Sequence, residues 1–242
     1  MVLKAKVRKN QLGINQRAAE VICVIDISGS MQHHFKSGRV QEIVERMLAI
    51  GLNFDPDKQI QIIAFGIKAH DCGTINQSNY HECVQYHDNG TVTINGKRLR
   101  LEAGTRYAPA INMAYKTAFG RNWQTLNTPR SLFRRRGRPM LKASVANPFF
   151  VLFITDGECS DRDEAKKLVD LGSGLPLFTQ FAGFGHGFET LSAIDNMSGR
   201  VVDNAGVFTA GNLRINDNEL LDGMLNEFPD WLKATANKGW YQ

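Results

Sequence analysis

The chain has 242 residues, of which 43% are hydrophobic, enough for one domain with a large core. No stretch approaches the roughly 18 consecutive apolar residues of a membrane-spanning helix, and the amino terminus lacks the apolar centre of a secretory signal, so we expect a cytoplasmic protein. The formal net charge of +5 raises the question of a nucleic-acid or other anionic partner.

The first predicted strand carries polar side chains at its end. Residues 21–25 read Val-Ile-Cys-Val-Ile, and Asp26, Ser28 and Ser30 follow. Such a run favours a strand buried on both faces, as in a parallel sheet, and these sheets bind ligands beyond the carboxyl ends of their strands. One carboxylate and two hydroxyls are oxygen ligands that suit a hard cation such as Mg²⁺. A helix cap or a turn is the alternative for so short a pattern.

The next segments alternate between helix and strand. Apolar residues recur at helical spacing over 37–53, and an apolar run over 59–66 predicts a strand. Residues 91–101 read as a hairpin around an Asn-Gly turn, which we interpret as an insertion.

A further hydroxyl and a further carboxylate are expected at the same edge. Thr105 lies in a glycine-containing loop ahead of a helix predicted over 109–119. Asp156 ends a second apolar strand and precedes the turn residue Gly157. Two carboxylates at one edge would repel each other, whereas a divalent cation between them would remove that conflict.

The positive charge is concentrated in one loop within residues 121–147. Residues 121–142 hold seven basic and no acidic residues, and without these seven, 22 basic residues face 24 acidic ones. We interpret the loop as a solvated insertion; the alternative is an arm that binds nucleic acid or another anion. Its basic residues are Arg121, Arg130, Arg134, Arg135, Arg136, Arg138 and Lys142.

The carboxyl-terminal part continues the alternation. We predict helices over 161–171, 188–197 and 218–233, a strand over 177–183 and a short edge strand over 200–203. Asp161 and Glu164 have the spacing of a capping box at the start of the first of these helices.

The order of these motifs resembles the von Willebrand factor A (VWA) family and its metal-ion-dependent adhesion site. The pattern D-x-S-x-S, then a loop threonine, then T-D-G is matched at every ligand position, and the resemblance covers roughly residues 18 to 236. Residues 104–111, Gly-Thr-Arg-Tyr-Ala-Pro-Ala-Ile, are more similar to the TerF-like domains of bacterial tellurium resistance than to integrin domains. The matched ligands are Asp26, Ser28, Ser30, Thr105 and Asp156.

The resemblance implies a fold and a function. The expected fold is Rossmann-like α/β, a doubly wound, mostly parallel sheet flanked by helices, over 18–236, with an amino-terminal extension over 1–17 and a tail over 237–242. The resemblance further implies one Mg²⁺ or Mn²⁺, bound directly by Ser28, Ser30 and Thr105, and an acidic residue of a partner protein that completes the coordination. The implied setting is a bacterial tellurite or chemical-stress response.

A binding module is favoured over an enzyme. Ser28 stands where a D-x-D phosphatase has its second carboxylate, and neither serine lies in a G-x-S-x-G elbow. Metal-dependent hydrolysis and anion binding through Arg134, Arg135, Arg136 and Arg138 remain the alternatives.

Overall fold

Two long apolar runs form the centre of the sheet in a computed structural model that describes residues 1–126 and 145–241. The strands beginning at Glu20 and Phe149 are parallel neighbours and are buried almost throughout. Their side chains alternate between two cores, so that Cys23 packs on one face of the sheet and Val24 on the other.

Among the described residues, six strands make the main sheet and three make a small second sheet. The order is β3-β2-β1-β7-β8-β9 in the main sheet, where only β3 is antiparallel to its neighbour, and β4-β5-β6 in the small antiparallel sheet. The strands are β1 (Glu20–Asp26), β2 (Ile60–Phe65), β3 (Ala69–Ile75), β4 (Val84–His87), β5 (Thr91–Ile94), β6 (Lys97–Arg100), β7 (Phe149–Thr155), β8 (Leu177–Phe184) and β9 (Ala205–Ala210).

Helices cover both faces of the main sheet. Apolar residues of α1, α2, α3, α7 and α8 join the core on one face, and those of α4, α5 and α6 join the core on the other. The helices are α1 (Val2–Gln11), α2 (Gln32–Lys36), α3 (Arg39–Phe54), α4 (Tyr107–Phe119), α5 (Arg162–Gly172), α6 (Glu189–Asp195), α7 (Asp217–Met224) and α8 (Phe228–Thr235).

The Rossmann-like, doubly wound α/β architecture is confirmed. The helix predicted over 37–53, the strands predicted over 59–66 and 177–183, and the Asn-Gly hairpin each match an observed element within a few residues. The hairpin is larger than expected because β4 adds a third strand, and α1 gives the amino-terminal extension a helix that the sequence analysis did not predict.

Two predictions near the carboxyl terminus are wrong. The edge strand beside β8 is β9, not residues 200–203. There the Arg200 guanidinium instead binds Asp203 and the carbonyl of Asp195. The single helix predicted over 218–233 is two helices, since Pro229 occupies the first turn of α8 and a proline lacks the N–H that a continuous helix requires.

Most of the basic loop predicted from the sequence lies outside the described residues. The basic residues Arg130, Arg134, Arg135, Arg136, Arg138 and Lys142 lie outside them. Within 1–126 and 145–241, no helix combines the length and the apolar character needed to cross a membrane.

Close packing between α4 and α5 predicts a sensitive position. Gly172 lies against the buried ring of Tyr115, which stacks on Trp123 with ring centroids 4.3 Å apart. A methyl group at residue 172 would overlap the Tyr115 ring, so we expect Gly172→Ala to lower the free energy of unfolding by about 1–3 kcal/mol. Gly211→Ala is the matched control, because nothing lies within 4 Å of its Cβ position. Urea unfolding that shows equal stability for both variants would contradict this account of the packing.

Candidate metal centre

Four of the five predicted ligands lie in one hydrogen-bonded network at the carboxyl edge of the sheet. Asp26 ends β1, and Asp156 directly follows β7, the parallel neighbour of β1. The Ser28 N–H donates to Asp26 Oδ1 (2.7 Å), the hydroxyls of Ser28 and Ser30 are 3.0 Å apart, and Ser30 Oγ donates to Asp156 Oδ1 (2.7 Å). Ser28, through its N–H and its hydroxyl, and Ser30, through its hydroxyl, therefore connect the two carboxylates.

The fifth predicted ligand, Thr105, is held at the same edge through its backbone. Its carbonyl accepts hydrogen bonds from the Ser160 N–H (3.0 Å) and from Ser160 Oγ (3.3 Å), in the segment that follows Asp156. Within the described residues, the hydrogen-bonded network that joins Asp26 to Asp156 does not include the Thr105 hydroxyl.

The Asp26 carboxylate is fully buried. Burial raises the pKa of Asp26 to about 6, although hydrogen bonds from Ser28 and Thr155 favour the charged form. Thr155 Oγ1 donates to Asp26 Oδ2 at 2.7 Å, so each carboxylate oxygen has a donor. The negative charge of Asp156 raises the pKa further, which means that a cation at this edge would stabilise the ionised form.

Asp156 is partly exposed, and its charge is also opposed by burial. Burial raises the pKa of Asp156, while the hydrogen bond from Ser30 and the charge of His33 act in the other direction. The His33 ring lies beside the network, with Nδ1 2.8 Å from the Ser30 carbonyl oxygen.

The sequence analysis missed the role of Glu102, which joins the loop of Thr105 to two other segments. The Glu102 backbone donates to the Ile27 carbonyl (2.9 Å) and accepts from the Gly29 N–H (2.8 Å). Its carboxylate accepts the N–H groups of Ile67 and Lys68 and lies 2.7 Å from His70 Nε2. The only sequence signal was a glutamate in a loop of small residues.

Hydrogen bonds stabilise the charge of Glu102, and a glycine makes room for its side chain. Burial raises the pKa of Glu102, but hydrogen bonds from His70 and from the Lys68 and Ile67 N–H groups outweigh it and hold the pKa below its usual value. Gly66 allows the close approach, since a Cβ at that position would lie 2.6 Å from Glu102 Cβ.

Asp161 does not form the predicted capping box. Its carboxylate makes no capping hydrogen bond to its own helix, and instead accepts the Tyr107 N–H (2.8 Å) and the Ala108 N–H (2.9 Å) at the start of α4. Glu164 pairs with Arg106 at 2.7 Å. The start of α4, two residues after Thr105, is therefore fixed by the segment that follows Asp156.

A separate acidic cluster lies at the opposite edge of the sheet. Carboxylate oxygens of Glu20, Asp55 and Asp57 lie within 4.8 Å of one another. Burial raises the pKa of Asp55 to about 7, and its carboxylate accepts the Val21 N–H (2.8 Å) and the Asp57 N–H (3.2 Å). These hydrogen bonds join the end of α3 to β1, so we interpret the cluster as structural.

Comparisons with known proteins agree with the fold. The family model described as a vWA found in the TerF C terminus, vWA-TerF-like, matches residues 18–241. The uncharacterised protein YcbR of Bacillus subtilis is 30% identical over 239 residues, which cover 98% of this chain and 86% of YcbR.

Two solved structures match the chain at low sequence identity. Proximal thread matrix protein 1 of the mussel byssus has a TM-score of 0.50 and 15% identity; the match covers 93% of this chain, which spans about half (48%) of that structure's chain. The VWA domain of SpRpn10 has a TM-score of 0.47 and 11% identity, with 87% of this chain and 95% of that domain covered. The match over residues 18–241 shows that the chain belongs to the vWA-TerF-like family of von Willebrand factor A domains.

Proposed function

We propose that this domain binds one Mg²⁺ or Mn²⁺ and uses the ion to capture a glutamate or aspartate of a partner protein. The ligands are Asp26, Ser28, Ser30, Thr105 and Asp156. The observation that carries the proposal is the network in which Ser28 and Ser30 connect two carboxylates whose ionisation is opposed by burial. A hard divalent cation suits this set of oxygen donors and offsets the charge of both carboxylates.

The same geometry favours binding over catalysis. Among the described residues neither hydroxyl pairs with a histidine ring, since Ser28 Oγ pairs with Ser30 Oγ and Ser30 Oγ donates to Asp156, whose proposed role is to bind the ion. The bound ion would keep coordination positions that a partner's carboxylate can occupy, and charge-assisted bonds of this kind are strong in a partly dehydrated site.

The proposed setting is a cytoplasmic stress-response complex in bacteria. The family model takes its name from the carboxyl terminus of TerF, which supports a role in tellurite or chemical-stress resistance. All four cysteines are free, and three of them are buried, as is usual in reducing compartments.

Metal binding should stabilise the fold. At a hundredfold excess over Kd, an ion adds about 2.7 kcal/mol, which for a domain of this size raises Tm by about 5–10 °C. We expect Mg²⁺ or Mn²⁺ to produce this rise in the unaltered chain and no rise in the double variant Ser28→Ala with Ser30→Ala. The double variant Ser192→Ala with Ser198→Ala, at two exposed positions in and after α6, should respond like the unaltered chain. An equal rise in both variants would place the ion elsewhere.

The stabilisation by metal should depend on pH in a defined direction. Because the pKa of Asp26 is raised to about 6 in the fold, protonated Asp26 stabilises the metal-free protein fully below pH about 4, and this contribution is lost as pH rises through about 6. The cation requires the ionised carboxylate, so its rise in Tm should be small at pH 5 and complete by pH 7.5. Differential scanning fluorimetry with and without Mg²⁺ at each pH measures this. A rise that is the same at both values would contradict binding of the ion by a carboxylate whose pKa is raised in the fold.

Partner capture should depend on the metal ligands. Thr105→Ala removes a hydroxyl, and Asp156→Ala removes a charge together with the acceptor of the Ser30 hydroxyl, so both should weaken capture from a cell lysate in Mg²⁺. EDTA should have the same effect on the unaltered chain. A partner that binds equally in EDTA and to both variants would show that the interaction surface lies elsewhere.

A further inference from the structure

A shallow cleft lies beside the proposed metal centre. It has a volume of about 390 Å³ and separates the turn between β2 and β3 from the end of β6. Ile67, Lys68 and His70 line one side, and residues 99–103 line the other. The volume is sufficient for a few side chains of an extended peptide, and small for a drug-sized ligand.

The cleft is continuous with the metal centre. The Ile67 side chain lies against Gly104, whose Cβ position is 3.5 Å from Ile67 Cγ1, and Gly104 immediately precedes the proposed ligand Thr105. The Arg106 N–H donates to the Gly66 carbonyl at 2.8 Å, which fixes the Thr105 loop against the turn. A chain bound in the cleft would therefore reach the ion within a few residues.

The walls of the cleft combine apolar and basic groups. Ile67 is 42% exposed, and Leu99 is half-buried next to it in the lining. Lys68 and Arg100 are exposed. Glu102 is the one acidic residue among those that line the cleft, and its carboxylate already accepts two backbone N–H groups and lies 2.7 Å from His70 Nε2. The uncompensated charge that faces a ligand is therefore positive.

The small sheet β4-β5-β6 covers the part of the β3 edge that lies farther from the proposed metal centre. Lys97 Nζ donates to the Asp71 carbonyl (2.8 Å), and Asn95 Nδ2 donates to the carbonyls of Cys72 (2.7 Å) and Thr74 (3.1 Å). These bonds occupy backbone acceptors that an added strand would need. A ligand in the cleft is thus confined to the part near Ile67 and Arg100.

We infer that this cleft binds the extended segment of the partner that carries the metal-binding carboxylate, and that it selects acidic and aliphatic side chains on one side of that carboxylate. The inference rests on the proposed function. Lys68 and Arg100 attract the acidic side chains, and Ile67 and Leu99 contact the aliphatic one. The metal supplies the anchor, while the cleft supplies the preference among acidic partners.

The test is a selection from a displayed peptide library with a fixed central aspartate and randomised flanks. The selection is carried out in Mg²⁺, in Mn²⁺ and in EDTA. The unaltered chain is compared with two variants, the double variant Lys68→Glu with Arg100→Glu and the single variant Ile67→Ser. The control variant, Lys6→Glu with Arg17→Glu, makes the same change of net charge at exposed positions on and after α1, which packs on α3 and α7. The rise in Tm with Mg²⁺, expected to be unchanged in every variant, verifies that the fold and the metal site are intact.

We expect metal-dependent enrichment of Asp, Glu and aliphatic residues on one flank. The best peptide should bind Lys68→Glu with Arg100→Glu about tenfold more weakly, because two attractions become repulsions, and should bind the control variant as before. Repeating the selection on the charge-reversed variant should enrich Lys and Arg at the same positions. Ile67→Ser should lose only the aliphatic preference.

The remaining outcomes separate the cleft from the metal centre. The proposed role of the cleft is wrong if binding depends on metal but shows no flank preference, or shows a preference that the charge reversal leaves unchanged. Either result would still support metal-dependent capture. A flank preference that persists in EDTA and reverses with the charge supports the cleft and overturns metal-dependent capture. If no peptide is enriched under any condition, both are wrong.

Discussion

The structure of the candidate metal centre depends on one buried group, the Asp26 carboxylate at the end of β1. It is fully buried, and its two donors, the Ser28 N–H and the Thr155 hydroxyl, are neutral. The charge that acts on it is that of another carboxylate, Asp156. Hydrogen bonds of this kind orient a carboxylate, but they do not fully replace the hydration that its burial removes, and they bring no positive charge. The cation proposed to bind between Asp26 and Asp156 would supply a positive charge and would allow two ionised carboxylates to share one edge of the sheet.

The loops around this carboxylate are fixed by contacts between segments that are distant in sequence. The Glu102 backbone pairs with the loop after β1, its side chain binds the turn after β2, and Asp161 holds the start of α4. Each contact involves backbone N–H groups, so it restricts the path of a loop as well as a side chain. A site held in this way needs little reorganisation to accept an ion, and less of the binding energy is spent on ordering the loops.

The sequence predicted the parts of the fold that are encoded locally. β1 and β7 are buried on both faces and therefore appear as unbroken apolar runs, and the motif residues at their ends follow directly from strand direction. β9 reads Ala-Gly-Val-Phe-Thr-Ala, which is a weak strand pattern, and it forms a strand because it pairs with β8. Residues 200–203 include strand-forming residues, but the contacts of Arg200 hold them in a loop. The spacing of Asp161 and Glu164 was correct for a capping box, but tertiary contacts with Arg106 and α4 determine where both side chains lie.

Glu102 could not be interpreted from the sequence because its side-chain partners lie 32 to 35 residues away. In the structure it connects the inserted sheet to the candidate metal centre, since it lies two residues after the end of β6 and precedes Thr105 by three residues. The insertion covers the exposed edge of β3 with side chains of Asn95 and Lys97, which protects that edge from pairing with other chains. This protection ends where Glu102 turns toward the metal centre. The insertion therefore leaves accessible a part of the β3 side that borders the candidate metal centre.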